Sequence, residues 1–206
     1  MLKLYGGGAN RWVKPYWTLQ ELGIPFEKVR VSIADGNNRT PDFLARNPFG
    51  KLPVLEDGDV VLRESFAICS YLVDKHPEKG LAPPPGTIER ARVDQWMAFC
   101  LGDLEQPLWR IMRHRFLYDE ARRIPAEIEV ARQDFRELAA TLSDQLRGDF
   151  IAGDRFTVAD IALTYTLRWS RIERVLGKDL LASFPRLIAY IDKHMTRPAF
   201  PTELYG

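Results

Sequence analysis

Apolar and polar positions alternate over residues 1–5 with the period of two of a strand, and residues 3–5 read as the first strand. A second strand-like run, 26–31, follows a helical segment that ends near Leu22 and Gly23, where the glycine serves as a helix stop. This is a β-α-β unit. Pro15 lies inside that helical segment and cannot bond to the Arg11 carbonyl, so the helix is expected to begin late. Thr40-Pro41-Asp42 then offers a capping hydroxyl and a proline at a position where its missing N–H costs nothing. The short helix it opens breaks over 47–50. Residues 52–55 and 60–62 read as strands bridged by Glu56-Asp57-Gly58-Asp59, whose Asp-Gly signals an antiparallel hairpin. From Ser65 the spacing turns helical, with Phe66, Cys69, Leu72 and Val73 predicted on one buried face, until His76-Pro77 stops it.

Residues 77–86 hold Pro77, Pro83, Pro84 and Pro85 with Gly80 and Gly86, and read as a stiff linker between a domain over 1–76 and one over 87–206. Beyond it no strand is predicted, and helical patterns run over 87–116, 125–147, 157–175 and 185–195. The expected fold class is α/β plus all-α: a thioredoxin-like β-α-β-α-β-β-α domain followed by a helical bundle.

Composition narrows the function classes. A hydrophobic fraction of 46% over 206 residues suits a folded globular protein and excludes a disordered one. The formal charge of +1, with basic residues spread along the chain, gives no long-range field to gather nucleic acid or an anionic membrane. No apolar run approaches the roughly 20 residues that span a bilayer, and glycines interrupt the first apolar stretch where a signal peptide would continue. A soluble, cytoplasmic protein is expected. Cys69 and Cys100, the only cysteines, each lie in an amphipathic helical pattern and read as buried thiols in a reducing compartment.

Three segments carry a resemblance: Phe49-Gly50-Lys51-Leu52-Pro53-Val54-Leu55; then Glu64-Ser65 with Ala67-Ile68 and Tyr71-Leu72; and Phe156-Thr157-Val158-Ala159-Asp160-Ile161. In this order and spacing they resemble the cytosolic glutathione S-transferase superfamily, in its bacterial-type or theta-like members. The resemblance implies a thioredoxin-like glutathione-binding half, an all-helical half carrying the electrophile site and dimer contacts, a homodimer, and a role in detoxification. Glutathione would be the co-substrate, without a metal.

Glutathione is a thin tripeptide charged at both ends, so its site needs backbone pairing in the middle and polar groups at the tips. Pro53 is either an edge-strand proline or the cis proline the resemblance implies; a cis bond would turn the Leu52 backbone toward solvent, ready to pair with the cysteinyl part. Glu64 and Ser65 stand where a strand gives way to a helix, whose free N–H groups and positive dipole end suit the γ-glutamyl carboxylate, while Glu64 suits the ammonium. Lys51 and Arg39 are the candidates, by resemblance, for the glycine carboxylate.

Thiol activation is where the pattern departs from the family. Most relatives use Tyr, Ser or Cys near the end of the first strand, and between Gly6 and Trp17 this chain has no Ser, Thr or Cys. Chemistry through a protein–glutathione mixed disulfide lacks its nucleophile. Counting back from Gly23 places Asn10 where several related classes have a hydroxyl, and as an alignment it favours Tyr5 no less. The Asn10 amide can donate to a thiolate or cap the first helix. Arg11 adds a neighbouring charge, Tyr5 is the alternative hydroxyl donor, and Gly6 to Gly8 serve either close backbone approach or a turn. Three readings stand: a transferase acting on a small apolar electrophile or peroxide, a non-catalytic glutathione-binding or protein-interaction member, and a glutathione-dependent isomerase.

In the helical half, Thr157 and Asp160 form a capping box with a structural role. Trp96, Phe99, Leu104, Leu108, Trp109 and Met112 line the first long helix, as core or dimer contact; by resemblance the start of that helix faces the cleft above glutathione. Arg110, Arg113 and Arg115 are expected on a solvated face, and His76, His114 and His194 lie too far apart in sequence to suggest a metal site.

Overall fold

The computed structural model describes residues 1–204. They form two compact units, Met1–Thr87 with residues 198–204, and Ile88–Arg197. The first contains β1 (Leu2–Gly6), α1 (Val13–Leu22), β2 (Phe26–Arg30), α2 (Pro41–Arg46), β3 (Val54–Asp57), β4 (Val60–Arg63) and α3 (Ser65–Lys75). The sheet order is β2-β1-β3-β4, with β1 parallel to β2 and antiparallel to β3, and β3 antiparallel to β4. This is the thioredoxin-like order expected from the sequence. Tyr5, Val31, Phe43, Leu52 and Val54 form one cluster beside α2. Leu4 and Leu55, neighbours across the ladder and fully buried, point the opposite way, as the pleat requires.

Several boundaries differ from the sequence reading, each for a local reason. β3 begins at Val54, after the cis Leu52–Pro53 bond, because a proline brings no N–H to a ladder. The hairpin turn centres on Gly58-Asp59, and Gly58 takes the positive φ of 59° that its first central position demands. α1 starts at Val13, which makes Pro15 its third residue, where an N–H would lack an intrahelical partner in any case. On α3 the buried stripe is Ser65, Ile68, Cys69, Leu72 and Val73, while Phe66 lies off it and is half-buried.

The tail was grouped with the helical half in the sequence reading; the structure packs it on the first unit. Phe200 meets Trp17 edge-on at 5.0 Å between ring centroids, and the Tyr16 hydroxyl donates to Glu203 Oε1 at 2.6 Å. Seven residues with no period give no sign of which core their aromatic will join.

The second unit contains α4 (Ile88–Phe99), α5 (Glu105–Met112), α6 (Pro125–Gln145), α7 (Val158–Trp169), α8 (Glu173–Leu176) and α9 (Pro185–Met195). The single helix predicted over 87–116 is therefore α4 and α5 joined through a π turn at Cys100–Leu104. Pro107 has no N–H to offer the carbonyl of Asp103, and the helix widens just before it. A further π turn, Arg113–Leu117, ends α5. The helix predicted over 157–175 stops at Trp169, since the Ser170 carbonyl accepts the Leu180 N–H at 3.0 Å and turns the chain.

Of the aromatic stripe, Leu104 and Leu108 are fully buried, while Trp96, Phe99, Trp109 and Met112 are half-buried. Arg110 corrects the expectation of a solvated face: it reaches Asp134 at 2.6 Å and Glu127 at 3.1 Å, both on α6. The capping box is present. Asp160 also accepts the Ile151 N–H at 2.8 Å and the Tyr190 hydroxyl at 2.6 Å, which makes it the centre of a buried network.

Candidate functional site

Sheet register gathers the predicted residues at one end of the first unit. Tyr5 lies opposite Val54 and Val54 opposite Arg63, so the exit of β1, the entry of β3 and the exit of β4 share an edge. The loop over 7–12, the Leu52–Pro53 bond and the Glu64-Ser65 junction follow directly from those three strand ends.

Leu52 is buried as a side chain, yet among the described residues its main chain makes no hydrogen bond. An extended peptide has a free donor and acceptor to pair with there. At the next strand exit Glu64 adopts φ 66° and ψ 120°, the only non-glycine with positive φ among the described residues. A side chain held there costs on the order of 1–3 kcal/mol, and such strain concentrates at ligand clamps. Glu64 is exposed, Ser65 opens α3 at 2% exposure, and neither side chain has a partner among the described residues. A carboxylate, a hydroxyl and the free N–H groups of a helix start therefore stand together.

Arg39 and Lys51 bracket a tied pair of loops. The Asn38 side chain donates to the Gly50 carbonyl at 2.7 Å, and the Asn47 side chain donates to the Lys51 carbonyl at 2.7 Å. Gly50, at φ 62°, has no room for a side chain, because a Cβ would lie 2.8 Å from the Arg39 guanidinium and 3.0 Å from the Asn38 carbonyl. Among the described residues both cations lack an ion-pair partner. The close approach at Gly50 is the signal that sequence spacing alone did not supply.

The loop after β1 holds Asn10 by three contacts. Its Nδ2 donates to the Gly7 carbonyl at 2.6 Å, its Oδ1 accepts the Trp12 N–H at 3.1 Å, and its own N–H donates to the Gly8 carbonyl at 3.0 Å. Asn10 precedes α1 by three residues and does not cap it; Trp12 stands at the cap position. An amide has two N–H donors, so one remains for a ligand. Arg11 beside it is half-buried.

Tyr5 is held elsewhere. Only 7% exposed, it donates to Glu56 Oε2 at 2.6 Å and accepts from Arg46 Nε at 3.2 Å, while Arg46 pairs with Glu56 at 2.7 Å. Burial, and then the Glu56 carboxylate, push its phenol above the ordinary value, so it remains a neutral donor committed to that pair. The structure thus brings Leu52, Glu64, Ser65 and Asn10 to one edge and sets the Tyr5 hydroxyl in a separate network.

The thiols are no alternative nucleophiles. Burial pushes Cys69 up to about 11, although the Thr18 hydroxyl donates to its sulfur at 3.4 Å, and Cys100 is buried too. Among the described residues, no group of three or more His, Cys, Asp or Glu side chains is placed to hold a metal ion, and no helix is long and apolar enough to cross a membrane.

Comparison with known proteins adds to this geometry. Residues 1–74 match the family described as glutathione S-transferase, N-terminal domain, and residues 123–193 match glutathione S-transferase, C-terminal domain. Glutathione S-transferase 3 of Zea mays is 34% identical over 97% of this chain and 91% of its own length. A glutathione transferase structure from Methylococcus capsulatus aligns with TM-score 0.85 at 31% identity, covering 99% of this chain and 97% of that one. A sphingomonad glutathione S-transferase complexed with glutathione aligns with TM-score 0.83 at 31% identity, covering 98% and 96%.

Proposed function

The chain belongs to the glutathione S-transferase family, and we propose that its first unit binds glutathione and stabilises the thiolate for attack on a small apolar electrophile or a peroxide. The observation that carries this reading is the convergence, at one end of the sheet, of an unpaired Leu52 main chain with polar groups that have no partner among the described residues.

In this reading the cysteinyl part of glutathione pairs with Leu52 beside Pro53. Glu64 accepts from the γ-glutamyl ammonium, and Ser65 with the first N–H groups of α3 holds its carboxylate. Lys51 and Arg39 face the glycine carboxylate. The remaining N–H of Asn10 donates to sulfur, and Arg11 adds positive charge nearby. Lowering the thiol pKa by two units takes about 2.7 kcal/mol of preferential stabilisation, within reach of one or two hydrogen bonds to a charged group in a dry site. On a carbon electrophile the thiolate lone pair forms the S–C bond while the leaving group departs with its bonding electrons; on a peroxide it forms an S–O bond as the O–O bond breaks and an alkoxide leaves, and a second glutathione then forms the disulfide with loss of water. In either case the thiol proton goes to water.

A cytoplasmic homodimer is part of the proposal. Phe49 and, on the edge strand β4, Val60 and Val61 are exposed apolar side chains of the first unit that a second copy would cover. The second reading, a binding or protein-interaction member without catalysis, is favoured by one feature, the absence of a hydroxyl or thiol from residues 6–15 of the activating loop and first helical turn.

The deciding experiment titrates the thiolate absorbance of bound glutathione against pH and follows conjugation to an aryl halide. A bound-thiol pKa well below that of free glutathione, with turnover, supports the transferase reading. Tight binding with an unshifted thiol would refute it in favour of the non-catalytic one. Sedimentation as a monomer would remove the dimer.

A further inference from the structure

The C-terminal strap is tied to the loop that holds Asn10 through two aromatic side chains. Within the strap, Phe200 is 6% exposed against Trp17, Pro201 is buried, and the Leu204 N–H donates to the Pro201 carbonyl at 3.1 Å. This presents Glu203 to Tyr16, whose hydroxyl donates to the carboxylate at 2.6 Å and accepts from Lys28 Nζ at 2.9 Å. Phe26 closes on the Tyr16 ring edge-on at 5.7 Å. Tyr16 is thereby fixed at its hydroxyl and along its ring. The same ring stacks on Trp12, with ring centroids 4.6 Å apart and planes at 30°.

Trp12 is in turn the centre of the activating loop. It is 3% exposed, its N–H donates to Asn10 Oδ1, and its indole N–H donates to the Gly8 carbonyl. Its side chain lies so close to Gly6 that a Cβ there would be 2.7 Å away. Gly6 and Gly8 are referred to the Trp12 side chain and Asn10 to the Trp12 main-chain N–H, and the indole in turn is referred to Tyr16. A loop that opens on two glycines, Gly7 and Gly8, directly after the strand's last residue Gly6, has little stiffness of its own, so its geometry comes from what it leans on.

We propose that the strap is a positioning element for thiol activation: Glu203, through Tyr16 and Trp12, sets the placement of the Asn10 amide. The proposal rests on the transferase reading for its catalytic consequence but not for the mechanical link. None of the three touches glutathione or the reacting atoms. Each acts through Asn10, and a misplacement of about 1 Å in such a group is enough to cost activity.

The test compares wild type with Glu203→Ala, Glu203→Gln and Tyr16→Phe in the full chain, by hydrogen exchange of peptides covering 6–13, by the thiol pKa of bound glutathione, and by glutathione affinity. In Glu203→Ala, exchange over 6–13 should quicken, the bound-thiol pKa should rise, and kcat at near-neutral pH should fall about threefold to tenfold, with affinity nearly unchanged. Gln keeps an acceptor for the Tyr16 hydroxyl and should retain most of the wild-type exchange, thiol pKa and rate. Tyr16→Phe keeps the ring stack on Trp12 while removing the same hydrogen bond, and serves if Glu203→Ala fails to fold. A variant that melts lower yet shows wild-type exchange over 6–13 and a wild-type thiol pKa would overturn the proposal and leave the strap a plain staple. If instead the wild-type thiol is unshifted, the transferase reading fails, and the exchange data alone then decide the mechanical link.

Discussion

Replacing Asn10 by alanine separates a donor from a mere loop residue. With Oδ1 engaged by Trp12 and one Nδ2 hydrogen by Gly7, a single N–H is left to meet the sulfur. A hydrogen bond to a charged group contributes about 1.5–3 kcal/mol, and about 1.4 kcal/mol corresponds to one pKa unit, so the bound-thiol pKa should rise by about one to two units. Turnover at a pH below both values should drop roughly tenfold or more, and the gap should close at high pH, where the thiolate forms without help. The assay is the pH dependence of kcat/KM for conjugation, alongside ultraviolet titration of bound thiolate. Asn10→Asp is the companion variant. It keeps an acceptor for the Trp12 N–H but removes the donor and adds negative charge, so it should raise the pKa at least as far. A rate deficit constant across pH, or equal thiol pKa values in wild type and Asn10→Ala, would refute the donor role.

Tyr5→Phe should leave the bound-thiol pKa at its wild-type value while lowering stability by about 1–2 kcal/mol in denaturant melts, through lost bonds to partly exposed Glu56 and Arg46. A raised thiol pKa would instead restore Tyr5 as the activating hydroxyl. Asp160→Ala strands the buried N–H groups of Ile151 and Thr157 and the Tyr190 hydroxyl. Since burial already pushes the Asp160 carboxyl up and part of that desolvation cost is recovered, the net loss should be about 2–4 kcal/mol, with glutathione affinity unchanged. Wild-type melting with weak binding would contradict it. Burial alone would raise Glu56, but hydrogen bonds from Tyr5 and Arg46 and the Arg46 charge outweigh it and hold the carboxyl below its ordinary 4.5. Its stabilising contribution is therefore full above pH 4.5 and is lost as pH falls through the lower folded value. The stability difference between wild type and Glu56→Gln should accordingly shrink under acid; a difference that grows on acidification would contradict the shift.

Element order was legible because it depends on short-range patterns. A period of two marked β1, a strand-like run after the Gly23 helix stop marked β2, Asp-Gly marked the hairpin, and Thr157 with Asp160 marked the start of α7. Pro15 was informative even as an anomaly, since only a late start of α1 gives its missing N–H no cost. The motif around Pro53 and the Glu64-Ser65 junction gave the glutathione-binding reading residue by residue, because an extended ligand is met by backbone and helix-start groups whose places follow from strand ends.

Partners distant in sequence were not legible. Counting back from Gly23 favoured Tyr5 and Asn10 alike, and only packing separated them, sending the Tyr5 hydroxyl to Glu56 and Arg46 while leaving an Asn10 donor open. Arg110 looked like a surface charge until α6 brought Asp134 and Glu127 beside it. The strap read as the end of the helical half, yet its Glu203 meets Tyr16, 187 residues away. The sequence alone determined the order of strands and helices and where the family's binding motifs fall, since neighbouring residues fix backbone periodicity and caps. The tertiary structure decided which polar groups are spent on the fold and which are left for a ligand. A hydrogen bond between residues far apart in sequence exists only once burial has brought its two ends together.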